Sequence, residues 1–188
     1  VNTPMELGVA DPEEAIKGLE TAQKFTNPFG LFVTGIDRDA STGTDAGAYK
    51  APKIFTYTGA VMTLPTGVMA VAENQYGRPD QSLDYIQKLS RSFSYALPGS
   101  MYEVSPDFGM MTQAWNIFGF AVPVVEHFFG IKPRADLKEI TISPRMPSTW
   151  KEAQIENVEI GDNRISVYYQ KGQAPRVTQT KNWRIILK

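Results

Sequence analysis

The hydrophobic pattern of this chain is helical for its first two thirds and alternating for its last. Residues 12–24 carry apolar side chains at helical spacing, with Ile16, Leu19 and Ala22 on one face and Phe25 just beyond. Asp11 followed by Pro12 marks a helix start, and Asp11 and Glu14 stand at capping-box spacing. From residue 26 to about residue 58, glycine, proline, aspartate and threonine dominate, with one short apolar run at residues 31–33. Irregular stretches of that length inside a compact domain are usually functional or disordered.

A second helix is predicted over residues 60–75. It is apolar on most sides through Val61, Met62, Leu64, Val68, Met69 and Val71, with Pro65 inside it, and so should be largely buried. Gly77 and Pro79 stop it and begin a third helix over residues 80–93, with Leu83, Ile86, Leu89 and Phe93 as its inner stripe. The two form an αα-hairpin. A fourth helix, over residues 111–129, is apolar nearly all round and is closed by Gly130 and Pro133.

Beyond Pro133 the period changes to two. "LKEITISP", "IENVEIGDNRISVYY" and "NWRIILK" read as strands. The middle one holds a hairpin whose turn is Gly161, Asp162 and Asn163, with Val158 and Ile160 facing Ile165, Val167 and Tyr169. The expected fold is therefore mostly α with a C-terminal antiparallel β unit, divided into residues 1–133 and 134–188. Two nearly all-apolar helices need cover around their whole circumference. Four helices supply too little, so further helices are expected upstream, and "VNTPMELGVADPEEA" reads as the middle of a longer polypeptide.

Composition narrows the function classes. The chain has 188 residues, 42% hydrophobic and 21% charged, enough to bury a sizeable core. Nineteen basic and 20 acidic residues leave a net charge of -1 and form no runs, so nothing favours nucleic acid or a membrane surface. The apolar run at residues 110–125 is interrupted by Gln113, Asn116 and Pro123 and is short for a bilayer span. No signal-peptide pattern precedes it, and the compartment stays open between cytosol and periplasm. No phosphate-binding glycine loop is present, and no cofactor is implied.

There is no cysteine, which removes disulfides, thiolate metal sites and a cysteine nucleophile. A single histidine, His127, excludes a clustered-imidazole site; near the end of a predicted helix it suits the terminal carbonyls. Chemistry in such a chain falls to carboxylates. Glu103 stands in a turn-rich stretch between Pro98 and Pro106, among Tyr95, Tyr102, Phe108 and Trp115. Rings of this kind pack on the C–H faces of sugars while polar side chains take the hydroxyls.

The order of a helical hairpin, "GSMYEVSPDFG", "QAWNIFGFAVPVVEHFFGIKP" and "LKEITISPRMPSTWKEAQIENVEIGDNRISVYY" resembles the C-terminal end of bacterial six-hairpin glycoside hydrolases. These are (α/α)6-barrel enzymes related to glucoamylase and glycogen-debranching enzymes. The resemblance covers most of residues 12–169, most strongly from Tyr57 onward. It implies a partial (α/α)6 toroid of helical hairpins closed by a small β domain, and a carbohydrate substrate.

It also implies inverting hydrolysis, with Glu103 as general base on the loop entering the last barrel helix. An inverting enzyme holds a water on the sugar face opposite the leaving group, with a second carboxyl about 6.5–9.5 Å away to protonate the glycosidic oxygen. That acid comes from an earlier barrel loop in the family, so the isolated chain is expected to be inactive without the remaining upstream part of the enzyme. Asp37 and Asp39 are the in-chain alternatives to it, as loop residues or as partners of sugar hydroxyls. Tyr102, Asp107 and Trp115 complete the substrate-binding set, although Asp107 also suits a helix cap and Trp115 a buried core. The competing readings are a disaccharide phosphorylase of the same fold and a non-catalytic carbohydrate-binding or scaffolding domain.

Overall fold

A computed structural model of the chain describes residues 2–32, 61–95, 97–105 and 109–188. It falls into two compact units, Val1–Phe120 and Ala121–Lys188. Among the described residues the fold is mixed α/β, with 38% helix and 27% strand. That overturns the expected mostly α partial toroid, for a reason that lies in the apolar segment before Gly130. Instead of one long helix, residues 111–129 hold a 3₁₀ turn, Ala114–Ile117, a single α turn, Phe118–Ala121 (α5), and a π-helical stretch, Val122–Phe128. Pro123 has no N–H to give and its ring crowds the carbonyl four residues back, so the helix widens there rather than continuing as α.

The first unit is organised around α3, Thr63–Gln75, which has nine buried residues. Pro65 is tolerated because it lies in the first turn, where no intrahelical N–H is required. The short α1, Thr3–Glu6, and α2, Pro12–Gln23, pack against it. The Asp11 side chain caps α2 by accepting the N–H groups of Glu13 and Glu14 at 3.0 and 3.2 Å. Its inner face centres on Ala15 and Leu19, with Ile16 and Ala22 only half-buried.

The other helix packed on α3 is α4, Pro79–Ser90, which buries Ser82, Tyr85, Ile86 and Leu89. Phe93 lies past its end and meets Phe120 edge-on at 5.1 Å. Where α3 passes Gly119, a Cβ at Gly67 would come within 2.5 Å of the Gly119 Cα, so two glycines permit that approach. Short ladders join β1, Thr26–Asn27, to β2, Gly30–Leu31, and β3, Val61–Met62, to β4, Val104–Ser105.

The second unit holds two three-stranded sheets. In one, β6, Glu139–Ile142, runs antiparallel to β5, Ile131–Arg134, and parallel to β10, Arg184–Leu187. The parallel pair departs from the all-antiparallel expectation. In the other, β7, Glu152–Ile160, β8, Asn163–Gln170, and β9, Arg176–Gln179, form an antiparallel meander. The β7–β8 turn is Gly161–Asp162; Asn163 already belongs to the strand, paired with Ile160. Val158 faces Ile165, but Val167 faces Ile155 and Tyr169 faces Ala153. A bulge between Ile155 and Val158, with Asn157 at φ 59°, accounts for the shift.

Candidate functional site

Hydrogen bonds to the backbone of residues 102 and 103 place Glu103. Thr63, the first residue of α3, donates its N–H to the Glu103 carbonyl at 3.1 Å. Its hydroxyl reaches the Tyr102 and Glu103 carbonyls at 2.9 and 3.1 Å. Asn116, on the 3₁₀ turn, donates to the Tyr102 carbonyl at 3.0 Å. On the other side the Glu103 N–H donates to the Met110 carbonyl at 2.8 Å. Met101 and Val104, on either side of the pair, are buried.

The Glu103 side chain is half-buried, and Oε2 accepts a long bond, 3.4 Å, from the Met110 N–H. Gly109, at φ 79°, sits against it: a Cβ there would lie 3.0 Å from Oε2 and 3.2 Å from the Glu103 Cβ. Any larger residue would displace the carboxylate. Chemically, the arrangement places one half-buried carboxylate on a backbone held by hydrogen bonds with Thr63, Asn116 and Met110.

The other expected site residues divide. Tyr102 is half-buried beside Glu103, its carbonyl held by Thr63 and Asn116. The backbone of Trp115 lies in the same 3₁₀ turn as Asn116, which brings that turn against the Tyr102–Glu103 segment; its side chain is outside the described residues. Asp107, Asp37 and Asp39 also lie outside the described residues.

A second polar cluster went unread in the sequence. Glu73, fully buried within α3, accepts from Arg78 Nε at 2.6 Å and from Gln23 Nε2 at 3.1 Å. Arg78 also reaches Glu20 at 3.2 Å. Burial pushes the Glu73 carboxyl above its ordinary value, while the Arg78 guanidinium and the Gln23 amide pull it back. Burial, with Glu73 and Asp84 nearby, also raises the Tyr85 phenol, whose hydroxyl has no hydrogen-bond partner among the described residues. The available signal was a glutamate inside "MAVAEN", a run otherwise suited to full burial. The cluster ties α2 and the α3–α4 turn together, a structural role.

His127 is buried, and burial together with Lys132 and Arg145 lowers its imidazole from 6.5 to about 4. It is therefore neutral at pH 7 rather than the cation expected at a helix end. Among the described residues no group of three or more acidic or imidazole side chains is placed to hold a metal ion. No described helix is long and apolar enough to cross a membrane. Compared with known protein families and with curated proteins, the chain matches none.

Proposed function

We propose that this chain is the part of a glycoside hydrolase that carries the general base, Glu103, and that the enzyme cleaves an oligosaccharide or glycoside with inversion. The observation that carries the reading is the anchoring of residues 102 and 103. Both carbonyls and the Glu103 N–H are engaged, by Thr63, Asn116 and Met110, at 2.8–3.1 Å. Such anchoring fixes the backbone from which the carboxylate projects, which a positioned general base requires. The resemblance of "MYEVSPDFG" and "QAWNIFGF" to glucoamylase-like hydrolases supports the same assignment.

In the proposed step Glu103 takes a proton from a water as that water's oxygen bonds to the anomeric carbon. The glycosidic bond breaks, and its oxygen takes a proton from a second carboxyl, supplied by another loop of the enzyme. Tyr102 packs a sugar ring beside the carboxylate.

The test is turnover of α-linked glycosides by the full-length enzyme, with the anomer of the first product read by proton NMR. The expected product is the β anomer. Glu103→Gln lowers kcat by about 10²–10⁴-fold while far-UV circular dichroism is unchanged. An α product, a requirement for inorganic phosphate, or wild-type kcat in Glu103→Gln would each refute the assignment.

A further inference from the structure

The second unit carries two adjoining hollows on either side of the start of β7, and neither belongs to the Glu103 site. The larger is an open cavity of about 650 Å³, with Val124, Phe129 and Trp150 on its apolar side and Lys151, Glu152 and Gln154 at its polar rim. Its volume falls in the range of about 300–1,000 Å³ typical of small-ligand sites. Trp150 is held by an edge-to-face contact with Phe128, ring centroids 5.5 Å apart at 70°. It remains half-exposed. The indole is thus a fixed platform rather than a mobile surface ring.

The smaller cavity, about 400 Å³, shares Glu152, Ala153 and Gln154 with the first and adds Tyr168 and Arg176. These positions follow from strand register: Gln154 is opposite Tyr168, and Tyr168 is opposite Arg176. Directly opposed residues lie on the same sheet face, so the three form one row across the meander. The Arg176 guanidinium lies 5.6 Å from the Tyr168 ring centre, and the Tyr168 hydroxyl donates to Glu156 at 3.3 Å. Tyr168, at the centre of the row, is thus held by two contacts.

We infer that these two hollows form a non-catalytic binding site for a neutral oligosaccharide, one sugar ring stacked on Trp150 and the next bonded by Gln154, Glu152 and Arg176. The chemistry of the lining selects the ligand class. An aromatic platform bordered by an amide, a carboxylate and a guanidinium matches a ring with C–H faces and hydroxyl edges. Lys151 and Arg176 are balanced by Glu152 and Glu156, which removes the net positive field a phosphate or polyanion requires. The charged and amide rim is equally unsuited to an acyl chain. The inference needs no turnover and stands apart from the role of Glu103.

The experiment is isothermal titration calorimetry of the 188-residue chain with maltotriose, cellotriose and xylotriose, paired with proton–nitrogen NMR. At least one of the three binds with Kd below about 1 mM, shifting the Trp150 indole resonance. Gln154→Ala and Glu152→Gln, on exposed strand positions that leave the fold intact, each weaken it about tenfold. Trp150→Ala abolishes it, and Glu103→Gln leaves it unchanged. If Trp150→Ala does not fold, the two strand variants decide. Failure of all three sugars to bind at about 10 mM, binding that survives both strand variants, or binding lost in Glu103→Gln would overturn the inference.

Discussion

Removing the Arg78 guanidinium isolates the most deeply buried charge among the described residues. In Arg78→Met the Glu73 carboxylate, with a side chain 0% exposed, loses the partner that approaches it at 2.6 Å. The Gln23 amide at 3.1 Å stays as a side-chain donor. Breaking a buried pair in this way costs about 3–5 kcal/mol, because the surviving charge has neither water nor a counterion. The reverse change is milder. Glu73→Gln keeps the shape and the Gln23 contact, and it leaves behind Arg78, which is 17% exposed and still faces Glu20. We expect it to cost about 1–2 kcal/mol. Glu20→Ala removes only an exposed arm of the network and should cost less than about 1 kcal/mol.

Urea unfolding followed by circular dichroism reads these differences, with an unchanged m-value as the check that the native state is intact. The sign of the pH dependence supplies a second test. Burial already raises the Glu73 carboxyl in the folded protein, and loss of Arg78 raises it further. A raised folded value favours the native state at low pH, where the carboxyl is protonated, and that advantage disappears as pH rises through the folded value. The gap between wild type and Arg78→Met should therefore widen from pH 5 to pH 8. Equal losses for Arg78→Met and Glu73→Gln, or a gap independent of pH, would show that Glu73 is not a buried charge dependent on Arg78.

Two further outcomes concern the second unit. His127 is lowered from 6.5 to about 4 in the fold, so the unfolded chain takes up its proton first as pH falls. About 3 kcal/mol of stability is lost between those values, and His127→Gln flattens that part of the stability–pH curve; an unaltered curve would refute the burial argument. Gly130, at φ 63°, has the Ser143 carbonyl where a Cβ would stand, whereas Gly172, at φ 81°, has open space around it. Gly130→Ala should cost about 3 kcal/mol and Gly172→Ala about 1, resolved by calorimetry as separate shifts in Tm; equal shifts would mean that Ser143 yields easily.

What the sequence revealed and what it hid follow from the range of the interactions. The α2 start was readable from Asp11 and Pro12, which act within one turn, although only half of the capping box forms: Glu14 pairs with Lys17 at 3.1 Å instead. The α3–α4 hairpin was readable from Gly77 and Pro79, and the β7–β8 hairpin to within one residue of its turn. The inner stripe of α4 was misjudged because Ser82 and Tyr85, not Leu83, turn inward. Apolar content could not distinguish a continuous helix from the broken segment around Pro123, which leaves Met111 and Ile117 exposed and Val122, Val124 and Val125 half-buried. The parallel pairing of β10 with β6 joins segments 45 residues apart and leaves no local mark. At the site, Glu103 was visible as a residue type, but its anchors were not: Thr63 meets it across 40 positions.

The anchoring of Tyr102 and Glu103 has a local cost. Asn116 is buried in an otherwise apolar stretch, and its Oδ1 has no hydrogen-bond partner among the described residues. Such a group costs about 1–3 kcal/mol, which an apolar side chain of similar size would avoid. Its Nδ2, however, holds the Tyr102 carbonyl, and no aliphatic replacement could do so. Thr63 is likewise fully buried at the start of an apolar helix, with its hydroxyl committed to the same two carbonyls. Two polar side chains from separate elements thus converge on one dipeptide whose second residue is a half-exposed carboxylate. Each side chain also pairs a backbone carbonyl that an apolar residue in its place could not, so the cost of the Asn116 Oδ1 is offset locally, and together the two fix the backbone from which Glu103 projects.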